Sequence, residues 1–163
     1  MGTEDKVGIG MGVLEHSVWI HARPEEVWRI YVDPARIPEW QTGSPVITVV
    51  RGAADEPGAV YKSRRGPGTA RTTVLKADRP RRLVTRTEAY FGLRFDVVSQ
   101  FEADAEGTRL DLRTETHWPR GLGLLGKLVE LAILNPREGR KELANLKALV
   151  ERWAEQPGDH APG

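Results

Sequence analysis

The stretch LEHSVWIHARPEEVW at residues 14–28 holds two of the chain's four histidines, His16 and His21, with Trp19 between them. Imidazole is the side chain that most readily gives or takes a proton near neutrality, so these residues are the first to weigh for acid/base chemistry. In a β-strand, residues five apart point to opposite faces, so at most one of the two histidines faces inward. Leu14, Val18, Ile20 and Ala22 share the parity of His16, which puts His16 on the core side and Trp19 and His21 outside. His16 is therefore the candidate catalytic residue. No second acid or base stands beside it in sequence, and its alternative role is a hydrogen-bonded histidine in a pocket wall near Thr114 or Thr116. Trp19 on the outer face calls for cover, either from a neighbouring helix or from a second copy in a homodimer.

Other chemistries find less material. The chain has no cysteine, hence no thiolate nucleophile, disulfide framework or cysteine metal cluster. If the first and last strands pair antiparallel, His21 and His117 fall at opposite ends and share no ion, so no metal is expected. GLGLLG at 121–126 matches G-x-G-x-x-G between a strand and a helix. The dinucleotide fingerprint, however, belongs to the first turn of a strand–helix–strand unit. The remaining residues read as helix and tail, so no cofactor is expected and the glycines are assigned to close approach of a loop to the sheet.

The elements that position His16 follow from composition and periodicity. The 163 residues, 39% hydrophobic and 29% charged, suit one domain with one core. A net charge of +1, spread along the chain, gives no basic patch for nucleic acid or an anionic membrane. The apolar run LVELAIL at 128–134 is far short of the roughly 20 residues that span a bilayer. No membrane insertion is expected. Residues 1–12 read as a flexible lead without a secretory pattern, 13–155 as the domain and 156–163 as a disordered tail; a cytoplasmic location is the accompanying expectation.

After strand one, Pro24 opens a helix with Glu25 and Glu26 in its first turn, burying Val27, Trp28, Ile30 and Tyr31. VDPAR closes it and a short second turn ends at Trp40. Six strand-like runs follow, PVITVV, AVYKSRR, ARTTVLKA, RLVTRTEAY, LRFDVVSQFEA and TRLDLRTETHW, separated by short glycine- or proline-bearing turns. Short separators imply antiparallel neighbours, giving a seven-stranded sheet. From Leu125 to Trp153 the apolar residues recur every three to four positions, as in one long amphipathic helix, with a kink or break predicted at Asn135–Pro136.

This order, together with VWIHARPEEVWRIYVDPARIPEW, Gly58 before strand three, DRPRRL, FEADAEGTRL and LKALVE, resembles the SRPBCC superfamily. The resemblance runs from Val18 through ELANLKALVERW and is strongest to the bacterial polyketide cyclase/dehydrase branch. It implies an α+β helix-grip fold: a curved antiparallel sheet wrapped around a long C-terminal helix, with two short helices after strand one and an internal hydrophobic cavity. It also implies a lipid-like, steroid-like or polyketide-like ligand. Transporters, hormone and lipid binders, aromatase/cyclases and chaperone activators share the fold, which does not by itself fix a function.

Within that expectation, strand parity selects the cavity wall. Strand seven turns Thr114, Thr116 and Trp118 inward, strand six Phe95, Val97 and Ser99, and strand five Thr85 and Thr87. Strand three offers Tyr61, Ser63 and Arg65. Strand four offers Arg71, Thr73, Leu75 and Ala77, the parity that family registers place inward. Tyr31, Trp40, Tyr90 and Phe91 add aromatic surface, and Leu128 adds a helical residue. Arg65 and Arg71 flank the GPG turn at the cavity mouth, where a guanidinium fork suits a carboxylate, phosphate or enolate oxygen; the plainer role is to reach from a hairpin tip into water. The expected function is binding of a hydrophobic small molecule, with cyclase or dehydratase activity in which His16 moves a proton and Arg65 or Arg71 steadies an enolate. The rivals are a non-catalytic carrier or sensor and, third, a protein-binding module.

Overall fold

The computed structural model describes residues 10–89, 92–118, 121, 124–125, 128 and 135–156. In chain order the elements are β1 (Gly10–Ile20), α1 (Pro24–Val32), α2 (Ile37–Trp40), β2 (Val46–Arg51), β3 (Val60–Arg65), β4 (Gly68–Asp78), β5 (Arg82–Glu88), β6 (Arg94–Asp104), β7 (Gly107–Trp118) and α3 (Pro136–Ala154). The sheet order is β1-β7-β6-β5-β4-β3-β2 and every pairing is antiparallel. Strands β2 to β7 form a meander, and β1 closes its far side against β7. This is the predicted helix-grip architecture.

Local chemistry explains the helix starts. At α1, Pro24 occupies the first turn, and the Glu26 carboxylate accepts a bond from the Arg23 backbone N–H at 2.9 Å. At α3, Asn135 is extended (φ −69°, ψ 109°) and its side chain accepts from the Arg137 N–H at 3.1 Å, with Pro136 next. The chain breaks there, as predicted, because proline is harmless at a helix start, where its missing N–H has no partner in any case. Leu124, Leu125 and Leu128 are helical and exposed, while the rest of 119–134 lies outside the described residues. No described helix is long and apolar enough to cross a membrane.

The core lies between the concave sheet face and the helices. Ile20, Val27, Trp28, Ile30, Phe101, Leu110, Leu146 and Val150 are almost wholly buried. On α3 the buried residues are Leu143, Leu146, Leu149 and Val150, a stripe of helical period. At about 2 kcal/mol per buried aliphatic side chain, this stripe outweighs any intrinsic helical preference in holding α3 on the sheet. The opposite sheet face carries ion pairs instead: Arg113 to Glu15 at 2.7 Å, Arg109 to Glu102 at 2.7 Å and a bidentate Arg86–Asp96 pair at 2.7 and 2.9 Å.

Three sequence expectations need correction. Strand β1 starts at Gly10, inside the segment read as a flexible lead, because Gly10 to Gly12 pair with Trp118 to Thr116 of β7. In β4 the residues on the inner side are Thr72 and Val74, not Arg71, Thr73 and Leu75. A bulge causes this: Val74 faces Thr85 and Lys76 faces Val84, so Leu75 is unpaired and the alternation changes sense there. Beyond the bulge Ala77 again packs on the core, as predicted. Finally, Gly121 has a left-handed φ of 97° and nothing within 4 Å of a would-be Cβ, so backbone conformation rather than close approach favours glycine there.

Candidate ligand-binding cleft

Two adjoining pockets lie between the sheet and the helices, and Trp40, Gln41, Thr87 and Val97 line both. The inner pocket, about 200 Å³, is walled by Tyr31, Tyr61, Ser63, Thr72, Val74 and Thr85 among others. The outer pocket, about 320 Å³, runs under the first turns of α3 past His16, Arg65, Phe95, Thr114, Gly139 and Glu142. A larger depression, about 890 Å³, lies on the opposite sheet face among Glu15, Arg86, Asp96 and Arg113. It lies on the outer sheet face among charges that already pair with one another, and we place the candidate site in the pair of pockets between sheet and helices instead.

The aromatic wall of the inner pocket is closely packed. Tyr31 stacks on Trp40 with ring centres 5.5 Å apart and meets Phe101 edge-on at 5.3 Å. Its hydroxyl pairs with the buried Ser99 hydroxyl at 2.8 Å. Thr72 and Thr87 pair across β4 and β5, also at 2.8 Å, and Tyr61 lies opposite Thr72 across β3 and β4. Burial pushes both the Tyr31 and the Tyr61 phenol above the ordinary tyrosine range, and the neighbouring Ser99 and Thr72 hydroxyls only partly offset it. Both therefore stay protonated at neutral pH.

In the outer pocket His16 faces inward from β1, opposite Leu112. A Cβ built on Gly139 would lie 2.8 Å from the imidazole Cδ2, so the helix passes directly over the ring. Nε2 is enclosed and has no hydrogen-bond partner. Burial lowers the pKa of His16 below its ordinary value, the Arg140 charge adds to this, and Glu142 opposes both. The imidazole is neutral at pH 7. At the rim, Glu142 accepts from the Thr42 N–H at 3.1 Å and the Thr42 hydroxyl at 2.8 Å, and lies 3.7 Å from Arg65 Nη2. Arg65 in turn lies across Gly43, whose φ of 75° suits glycine.

The polyketide cyclase / dehydrase and lipid transport family model matches residues 11–151. The chain belongs to this family. A search of curated protein sequences finds no match. Among solved structures, norcoclaurine synthase from Thalictrum flavum, in complex with dopamine and hydroxybenzaldehyde, is 14% identical with a TM-score of 0.66, covering 97% of this chain and 95% of that one. Ara h 8.0201 is 13% identical with a TM-score of 0.63, covering 86% of this chain and 98% of that one. DynU16, from the dynemicin biosynthetic locus, is 22% identical with a TM-score of 0.62, covering 88% of this chain and 47% of that one. At these identities the likeness is one of fold.

Most sequence-predicted site residues of this family member do meet in the cleft: His16, Tyr31, Trp40, Tyr61, Ser63 and Arg65 line one or both pockets, as do Thr85, Thr87, Phe95, Val97 and Thr114. Ser99 stands behind Tyr31 as its hydroxyl partner. Four residues lie elsewhere. Arg71 is exposed on the outer side of β4, turned there by the phase that the bulge sets, so only Arg65 of the two arginines reaches the mouth. Thr116 is fully buried with its hydroxyl unpartnered, and Trp118, at the end of β7, is half-buried; neither lines a pocket. Leu128 is 58% exposed. Tyr90 and Phe91 lie outside the described residues.

The lining residues that escaped sequence reasoning include Gln41, Thr72, Gly139 and Glu142. Extending the α3 stripe back by one turn from Leu143 and Leu146 reaches Gly139 and Glu142, so their signal was present in the helical period. Thr72 was hidden by the bulge. Trp19 has partial intramolecular cover and stays 40% exposed: its ring stacks on His21 at 5.6 Å, lies 5.2 Å from Lys147 Nζ of α3, and donates to the Asp104 carbonyl at 3.2 Å. His16 does not bond Thr114 or Thr116 through Nε2, which has no hydrogen-bond partner and lies against the helix at Gly139.

Proposed function

We propose that this protein binds a hydrophobic small molecule, polyketide-like or lipid-like, in the two-lobed cleft between sheet and α3. The observation that carries this reading is the shared wall of Trp40, Gln41, Thr87 and Val97, which joins the two pockets into a site of ligand size. An apolar, aromatic inner end and a charged rim suit a molecule with a buried body and a polar end. Family membership and the fold shared with norcoclaurine synthase support it. A cytoplasmic location accompanies this reading.

Titration with 1-anilinonaphthalene-8-sulfonate tests it. The dye should bind stoichiometrically with enhanced fluorescence. Val97→Phe, which fills the neck between the lobes, should weaken binding at least tenfold, while Val13→Ser on the outer face leaves it unchanged. Equal binding by all three proteins would remove the cleft as the site.

A catalytic role, cyclisation or dehydration of a polyketide, is the second reading, favoured by the neutral His16 imidazole beside the outer lobe. Holding and orienting the ligand is favoured more strongly, because Nε2 is closed off by Gly139. Incubation with a poly-β-ketone thioester and mass spectrometry for loss of water separates the two, with His16→Gln as the control.

A further inference from the structure

We propose that the inner lobe selects a single uncharged ring bearing a hydrogen-bonding oxygen, a phenol or cyclic-ketone head, over an acyl tail or an anion; this rests on the small-molecule reading above and specifies its ligand. Six hydroxyl-bearing residues face this lobe: Tyr31, Tyr61, Ser63, Thr72, Thr85 and Thr87. Among the described residues that line it, none is charged; His16, Arg65, Glu138 and Glu142 belong to the outer lobe alone. An anion would therefore lose its hydration without gaining a cation.

The hydroxyls are ordered in a way that leaves a defined vacancy in their bonding. Thr72 and Thr87 form a hydrogen-bonded pair of hydroxyls at 2.8 Å in which either can donate, with Thr72 only 4% exposed. Two protons and one bond leave one proton over, and it stands on whichever hydroxyl accepts. Both ends of the pair line the lobe. Reversing the bond converts each end between donor and acceptor, so the same wall serves a ligand hydroxyl or a ligand carbonyl. A hydrocarbon tail would leave these ends unmatched, whereas the stacked Tyr31–Trp40 wall and Val74, Leu83 and Val97 give a ring its apolar faces. An apolar cavity of about 150 Å³ accepts benzene, so one of about 200 Å³ fits one substituted ring.

Phenol and toluene, nearly identical in shape, provide the test, with benzoate as the anionic form of the same ring, each followed by NMR titration of the full chain. A merely apolar cavity prefers toluene; the hydroxyl pair should make phenol about tenfold tighter than toluene and leave benzoate weakest. Thr72→Val/Thr87→Val keeps the side-chain shape, removes both partners of one hydrogen bond, and should reverse the order in favour of toluene. If that variant does not fold, Tyr61→Phe serves, with the phenol preference reduced severalfold. Toluene or benzoate binding tightest to the wild type, or a phenol preference unchanged in the variants, overturns this inference and leaves the small-molecule reading standing. Failure of all three rings to bind overturns both.

Discussion

His16 on β1 and Gly139 on α3 are packed so closely that no side chain fits between the imidazole and the helix backbone. The contact joins the first strand to the first turns of the last helix, and it closes the imidazole Nε2 away from the lobe that His16 lines. A residue chosen for its proton chemistry is thus, in this conformation, part of the helix seat. Gly139 lies one turn before the buried Leu143 and two before Leu146, where any larger residue would press on the His16 ring.

Gly139→Ala should therefore destabilise the protein by about 2 kcal/mol, the range of core overpacking, although alanine is the better helix former. In a His16→Ala background the sign should change, because the space is then free and the helical gain of about 1 kcal/mol remains. Urea unfolding of the four proteins measures this. Gly139→Ala stabilising in both backgrounds would show that the ring does not hold the helix.

The lowered pKa of His16 makes a statement about acid stability. Burial is its leading cause, so below the ordinary value of 6.5 the unfolded chain takes up a proton that the folded chain refuses. Stability should fall as pH drops through 6.5 and go on falling until the lower, folded value is passed. Unfolding free energies at pH 7.5 and 5.5 should show a smaller drop for His16→Gln than for the wild type, other groups being common to both. Parallel losses would place the acid sensitivity elsewhere.

How much of this could be read from sequence depends on whether each strand keeps its period. In β1, β5, β6 and β7 the alternation of Leu14 with Glu15, Leu110 with Arg109 and Phe101 with Glu102 is unbroken, and the inward residues follow from it. In β4 the unpaired Leu75 reverses the phase, so a single parity could not describe both halves of the strand. Arg71 was misplaced and Thr72 missed for this one reason. The face of α3 that carries Gly139 and Glu142 follows from the apolar stripe, but what the helix does to His16 does not. That depends on how far β1 and α3 stand apart, which no local pattern encodes.

Glu142 already occupies the place that a ligand anion would take beside Arg65. Glu142→Gln retains an oxygen for the two Thr42 bonds while removing the charge, so stability should change by less than about 1 kcal/mol. Anilinonaphthalene sulfonate should bind about threefold tighter to this variant, and Arg65→Ala should cancel the gain. Fluorescence titration at low salt reads the difference. No change in dye affinity would place Arg65 outside the ligand's reach.

Tyr31 and Ser99 form a hydroxyl pair whose serine is 1% exposed, so Ser99 has no water to replace a lost partner. Tyr31→Phe should then cost about 1–2 kcal/mol, more than the ordinary worth of one neutral hydrogen bond, because a buried hydroxyl is left unmatched. Ser99→Ala alone costs less, since the larger Tyr31 phenol lies at the edge of the inner lobe and can turn to another acceptor. The double variant Tyr31→Phe/Ser99→Ala should recover about 1 kcal/mol of the summed single losses. Thermal and urea unfolding of the cycle measure that coupling, and strictly additive losses would mean that the two hydroxyls do not depend on each other.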